Sequence, residues 1–130
     1  MAAPTVATYS AAALVAANTS FKDLIDAGAG AGFIKIRDVV DVLLAQIPLT
    51  DPCGTVNGTT GQLTITPSGR DESADATGTA AYGEFCDSDG LVHLSLPAQA
   101  GSAAVSGKLV INSLSIVAGG PVEVLSATVG

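Results

Sequence analysis

"EFCDSDGLVHLSL", residues 84–96, decides how the rest of the chain is read. Asp87, Asp89 and Gly90 spell D-x-D-G, the opening of many calcium loops. Such a loop needs further oxygen ligands and a bidentate Glu at its twelfth position. Counted from Asp87, that position is Ala98, and no carboxylate lies between Leu91 and Ala98. Asp and Gly also suit a tight turn, because Asp bonds its own backbone and Gly accepts positive φ. The flanks alternate with period two, Ala81, Gly83 and Phe85 against Tyr82, Glu84 and Cys86, then Leu91, His93 and Ser95 against Val92, Leu94 and Leu96. The stretch is therefore predicted to be a β-hairpin, with no calcium site, and chelators are expected to leave the fold intact.

Working outward, the same period recurs. "FIKIRD", residues 33–38, sets Ile34 and Ile36 against Phe33, Lys35 and Arg37. "DVLLAQIPL", residues 41–49, is a second apolar run, whose Pro48 suggests an edge or a strand end. "TDPCGTVNGTTG", residues 50–61, reads as turn chemistry throughout, and "QLTITP", residues 62–67, as another short strand. "SGRDESADATG", residues 68–78, has charge without apolar period and is predicted to be a solvated loop. "KLVINSLSIVAGGPVEVLSATV", residues 108–129, reads as two strands parted by Gly119-Gly120-Pro121.

Only residues 10–27 carry a helical period, with Leu14, Ala17, Phe21, Leu24 and Gly28 on one stripe. Asn18, Thr19 and Ser20 weaken its middle, so either one bent helix or a shorter one starting at Ser20 is expected. Gly28 is expected to end it. One helix followed by many short strands predicts a mainly β fold, an antiparallel β-sandwich of jelly-roll or immunoglobulin-like type. The organisation expected is an N-terminal arm or helix start over residues 1–19 and one domain over residues 20–130. Met1 to Thr8 have no core-facing period and are expected to order only against a partner.

Composition narrows the function. The chain of 130 residues has a formal net charge of −7 and only five basic residues, Lys22, Lys35, Arg37, Arg70 and Lys108, widely scattered. Nucleic acid, itself a polyanion, is not an expected partner. No apolar run is long enough for a membrane span, and the opening residues lack the basic segment of a secretory leader. Cys53 and Cys86 have neither zinc-site nor C-x-x-C spacing, and two buried or half-buried thiols are expected rather than a disulfide.

No catalytic arrangement emerges. His93 is the only histidine, and no G-x-S-x-G elbow accompanies the many serines. Asp71, Glu72 and Asp75 lie among small polar residues with nothing to desolvate them, so they lack the setting of an acid–base pair. "GAGAG", residues 28–32, follows a helix and has no P-loop lysine. The expectation is a protein that is not an enzyme and carries no catalytic residue, cofactor or metal.

The ordered segments "LIDAGAGAGFIKI", "DVLLAQIPLTDP", "ATGTAAYGEFCDSDG" and "INSLSIVAGGPVEVLSATV" resemble a family of small tailed-bacteriophage virion proteins, over about Ser20 to Val129. Cys53 and Cys86 depart from its pattern, which has small or apolar residues there. The resemblance implies a virion structural protein assembled in the host cytoplasm. Within that class the chain is most similar to capsid decoration (cement) proteins, which implies the major capsid protein as partner and a homo-oligomer, with a trimer favoured. A tail, connector or fibre-anchoring component is the alternative. Both faces of the C-terminal strand pair look apolar, so the expected interface residues are Leu109, Ile111, Leu114, Ile116, Val122 and Val124.

Overall fold

The computed structural model of the chain describes residues 9–105 and 107–129. The expectation for Met1 to Thr8 lies outside the described residues. The helix, α1, is continuous from Ala11 to Asp26, so the polar triplet at residues 18–20 does not restart it. Ser10 caps it, its hydroxyl accepting from the Ala13 amide at 3.1 Å. Ala27 leaves the helix in extended conformation and Gly28 turns the chain at φ 112°.

Among the described residues nine strands follow: β1 (Phe33–Arg37), β2 (Leu43–Val56), β3 (Leu63–Pro67), β4 (Gly78–Thr79), β5 (Tyr82–Cys86), β6 (Val92–Ala100), β7 (Leu109–Ile111), β8 (Ser115–Ile116) and β9 (Val124–Val129). Seven of them close into a barrel in the order β1-β2-β3-β9-β7-β6-β5, and β4 pairs separately with β8. Every pairing is antiparallel except β6 with β7. The predicted hairpin is present, with Glu84 opposite Ser95 and Phe85 opposite Leu94.

The sandwich expectation is overturned by this closure. β1 pairs with β2 on one side and with β5 on the other, Ile34 lying between Ile47 and Phe85, so no free edge remains there. β2 makes the curvature possible. Its first half pairs with β1 and its second with β3, and the register shifts between Leu49 and Gly54. Residues 50–56, read from sequence as a turn, are thus strand. Gly54 lies so close to β3 that a Cβ there would overlap the Thr64 carbonyl oxygen. The hairpin turn comes later, at Asn57, whose side chain accepts from the amides of Thr59 and Thr60. A barrel this small is filled by side chains. Ile34, Ile36, Ile47, Leu63, Phe85, Leu109 and Ile111 are fully buried.

Helix α1 packs on β2, with further contacts to β3 and β6, and covers the end of the barrel at which β2 finishes and β3 begins. Ile25 is fully buried there. Asn18 Nδ2 donates to the carbonyls of Gly61 (2.6 Å) and Val129 (3.2 Å). Asp26 Oδ1 accepts from the Cys53 amide at 2.7 Å and Oδ2 from Lys22 Nζ at 3.0 Å. Elsewhere the β4–β8 ribbon comes down on Leu44 at Gly78, with Ala74, Ala80, Ile116 and Val122 buried beneath it.

The C-terminal strand pair also differs from expectation. β7 stays in the barrel beside β9, whereas β8 leaves it to pair with β4. Both faces of β7 are consequently covered by its own chain. Leu109 and Ile111 belong to the core cluster, and Val110, on the opposite face, meets Gly101 of the crossover from β6. Leu109, Ile111, Ile116, Val122 and Val124 are 0–8% exposed, and Leu114 is half-buried against the core. Five of the six residues expected to meet a partner are core residues, and the sixth, Leu114, packs against that core.

Candidate functional site

In the hairpin turn that begins at Asp87 that residue's carboxylate is spent on the turn itself, whereas the buried Ser88 hydroxyl has no hydrogen-bond partner among the described residues. Asp87 Oδ1 accepts from the amides of Asp89 and Leu91, both at 3.0 Å, and Oδ2 lies 3.0 Å from His93 Nε2. Gly90 takes φ 87° and donates its amide to the Asp87 carbonyl. His93, the one candidate base, is therefore tied to the residue that anchors the turn. The His93 bond, aided by the backbone donors, holds the Asp87 carboxyl below its usual range. A group whose folded pKa is depressed stabilises the fold above its unfolded value, and that stabilisation is lost as pH falls through the folded pKa. Asp87→Asn keeps an acceptor for the turn but loses the charge. The wild-type advantage in melting temperature over this variant is expected at about pH 5 and should shrink below about pH 4. A gap that stays constant into acid would refute the assignment.

The two thiols are free and buried. Burial, then the neighbouring Asp26 carboxylate, pushes Cys53 up to about 12, and burial raises Cys86. Both are held as unreactive thiols. Cys86 lies opposite Phe33, on the face it shares with Tyr82 and Glu84 as the alternation predicts, yet it is buried; the register shift beside it falls on the β6 side, between Leu94 and Val92. Among the described residues no three His, Cys, Asp or Glu side chains gather as metal ligands, and no helix is long and apolar enough to cross a membrane.

Two open clefts lie on the surface. One, of about 410 Å³, is bounded by Ala31–Phe33, Gln46, Pro48, Asp71 and Asp75. Its Asp71 carboxylate is already bonded to the amides of Gln46 (2.9 Å) and Ser73 (3.0 Å), so it ties the 68–77 segment to β2. The other, of about 350 Å³, runs along Pro67–Arg70 to Glu123 and Val124, and its Arg70 is paired with Glu72 at 3.0 Å. Neither brings together a nucleophile and a base.

The β1–β2 turn is organised differently. Asp38 Oδ1 accepts from the amides of Val40 and Val42, both at 2.9 Å. Asp41 adopts φ 68°, a left-handed conformation that Asp tolerates better than most residues. Three groups hold it: its amide donates to the Asp38 carbonyl, its carbonyl accepts from Arg37 Nη1 at 3.0 Å, and its carboxylate accepts from the Tyr82 hydroxyl. Arg37 also pairs with Glu84. The Asp41 bond raises Tyr82 to about 12, so the phenol stays a donor. On this frame stand Val39, 84% exposed, Val40, 72%, and Val42, 45%. No turn geometry asks for β-branched apolar residues at those positions, since polar side chains and glycine serve turns best. A contiguous exposed apolar group on a rigid base has the form of a docking element. Sequence reading passed over it, although "DVVD" carried a signal: an apolar pair between two turn-forming aspartates.

Comparison with protein-family models, with curated proteins and with solved structures finds no match to this chain.

Proposed function

We propose that the chain is a bacteriophage virion structural protein, and within that class a capsid decoration protein that binds and stabilises the lattice of the major capsid protein. The observation that carries this reading is the ordered series of segments from Ser20 to Val129 that resembles small tailed-phage virion proteins. The rest of the chain is consistent with it: Asp38 and Asp87 are engaged in holding the backbone of their turns, and what is offered outward is an apolar turn. Binding to an assembled lattice and not to its alternatives would stabilise the lattice by mass action.

The test is copy number. Particles purified from cells producing the virus are resolved by gel and the chain is quantified against the major shell protein by densitometry. A decoration protein is expected at hundreds of copies per particle. A handful of copies would move the assignment to a tail, connector or fibre-anchoring role, and absence would remove it from the virion altogether.

A further inference from the structure

We infer that Val39 and Val40, on their frame of Asp38, Asp41, Arg37, Tyr82 and Glu84, form a preformed plug that seats in an apolar pocket rimmed by lysine or arginine on a partner protein. The inference rests on the virion reading, under which that protein belongs to the particle shell. The charge around the plug selects the rim. Asp38 and Asp41 flank the valines. The one cation in the turn, Arg37, is taken by Glu84 and by the Asp41 carbonyl. An acidic skirt with no free cation beside it is complemented by basic side chains.

The same charges disfavour a lipid surface. Anionic headgroups would be repelled, and two valines are far smaller than the apolar face that holds an amphipathic helix at a membrane. A small contact suffices on a repeating protein lattice if many copies or a second contact share the binding. Rigidity favours the plug as well, because two carboxylates and a phenol fix the turn before it binds and little conformational freedom is left to lose.

The experiment replaces the chain in virus-producing cells with Val39→Ser/Val40→Ser, with Val117→Ser as a control at another exposed apolar site (62% exposed). Copies per purified particle are counted, and circular dichroism of each purified variant checks the fold. The plug variant is expected to be folded and its copies to fall at least tenfold, with Val117→Ser unchanged. Wild-type occupancy is also expected to fall when particles are washed at raised salt, as an acidic skirt on a basic rim requires. A photo-crosslinking residue in place of Val39 should map to a shell-protein segment with apolar residues beside Lys or Arg. If wild type is present on particles and the plug variant matches it, the plug is overturned while the virion reading stands. If wild type is missing from particles, both fall. Flotation of wild type, but not of the plug variant, with phosphatidylcholine vesicles would overturn the protein pocket in favour of a membrane.

Discussion

Asn18→Asp is expected to detach helix α1 from the barrel. The side chain is 6% exposed, and its amide donates to two carbonyls that belong to the Gly61 turn and to the end of β9. The substitution keeps the shape and removes both donors. Each orphaned buried carbonyl costs about 1–3 kcal/mol, and a carboxylate facing two carbonyl oxygens adds desolvation and repulsion. The loss is thus expected at roughly 3 kcal/mol or more, a large part of the ~5–15 kcal/mol typical of a whole domain. Its pH dependence runs opposite to that of Asp87. Burial beside oxygens raises the introduced carboxyl above its unfolded value, so the deficit is smallest in acid and grows as pH rises past about 4. Thermal melts of wild type and variant across that range provide the check. A variant within about 1 kcal/mol of wild type at neutral pH would show that the two bonds do not hold the helix.

Phe85→Ala should be at least as damaging, by a different route. Phe85 is fully buried and lies opposite Ile34 of β1 and Leu94 of β6, at the seam where β5 closes the barrel. Truncation removes the largest fully buried side chain in the core and leaves a cavity that paired strands on both sides cannot collapse to fill. The expected cost is about 3–5 kcal/mol, or about 10–20 °C in melting temperature. Phe33→Ala is the comparison, because Phe33 is only half-buried and its ring faces outward under Lys35, 5.5 Å from the ammonium. Equal losses for the two phenylalanines would contradict the placement of Phe85 at the barrel's centre.

These two residues also mark how far the sequence could be read. The hairpin carrying Phe85 was legible, because Asp-Ser-Asp-Gly between alternating flanks is a local signal, and Ile34 and Ile36 fell on the buried face as their period predicts. Alternation says which face of a strand is buried but not which strand lies beside it. β1 with β5 and β3 with β9 are pairings between distant segments, and they separate a barrel from a sandwich. Asn18 was read as a weak point in a helix, since propensity is local and its two partners lie 43 and 111 residues away. The C-terminal strands misled for a related reason. Two apolar faces suggested a partner molecule, whereas the crossover at Gly101 and the β4–β8 ribbon cover the second face from within the chain. The exposed valines were missed because a turn was the last place to look for an apolar surface.

The place of β9 in the barrel has a consequence for biosynthesis. β9 lies between β3 and β7, and its Val129 carbonyl accepts one of the bonds that dock α1. The ribosome delivers all of these partners before β9, and α1 and β3 long before it. Until residues 124–129 emerge, a nascent chain can form its three local hairpins, β1–β2, β2–β3 and β5–β6, but the wall stays open, with unpaired edges on β3 and β7. Closure therefore waits for residues 124–129 and joins them to segments made before them, and chains halted before Val124 will present those edges to one another.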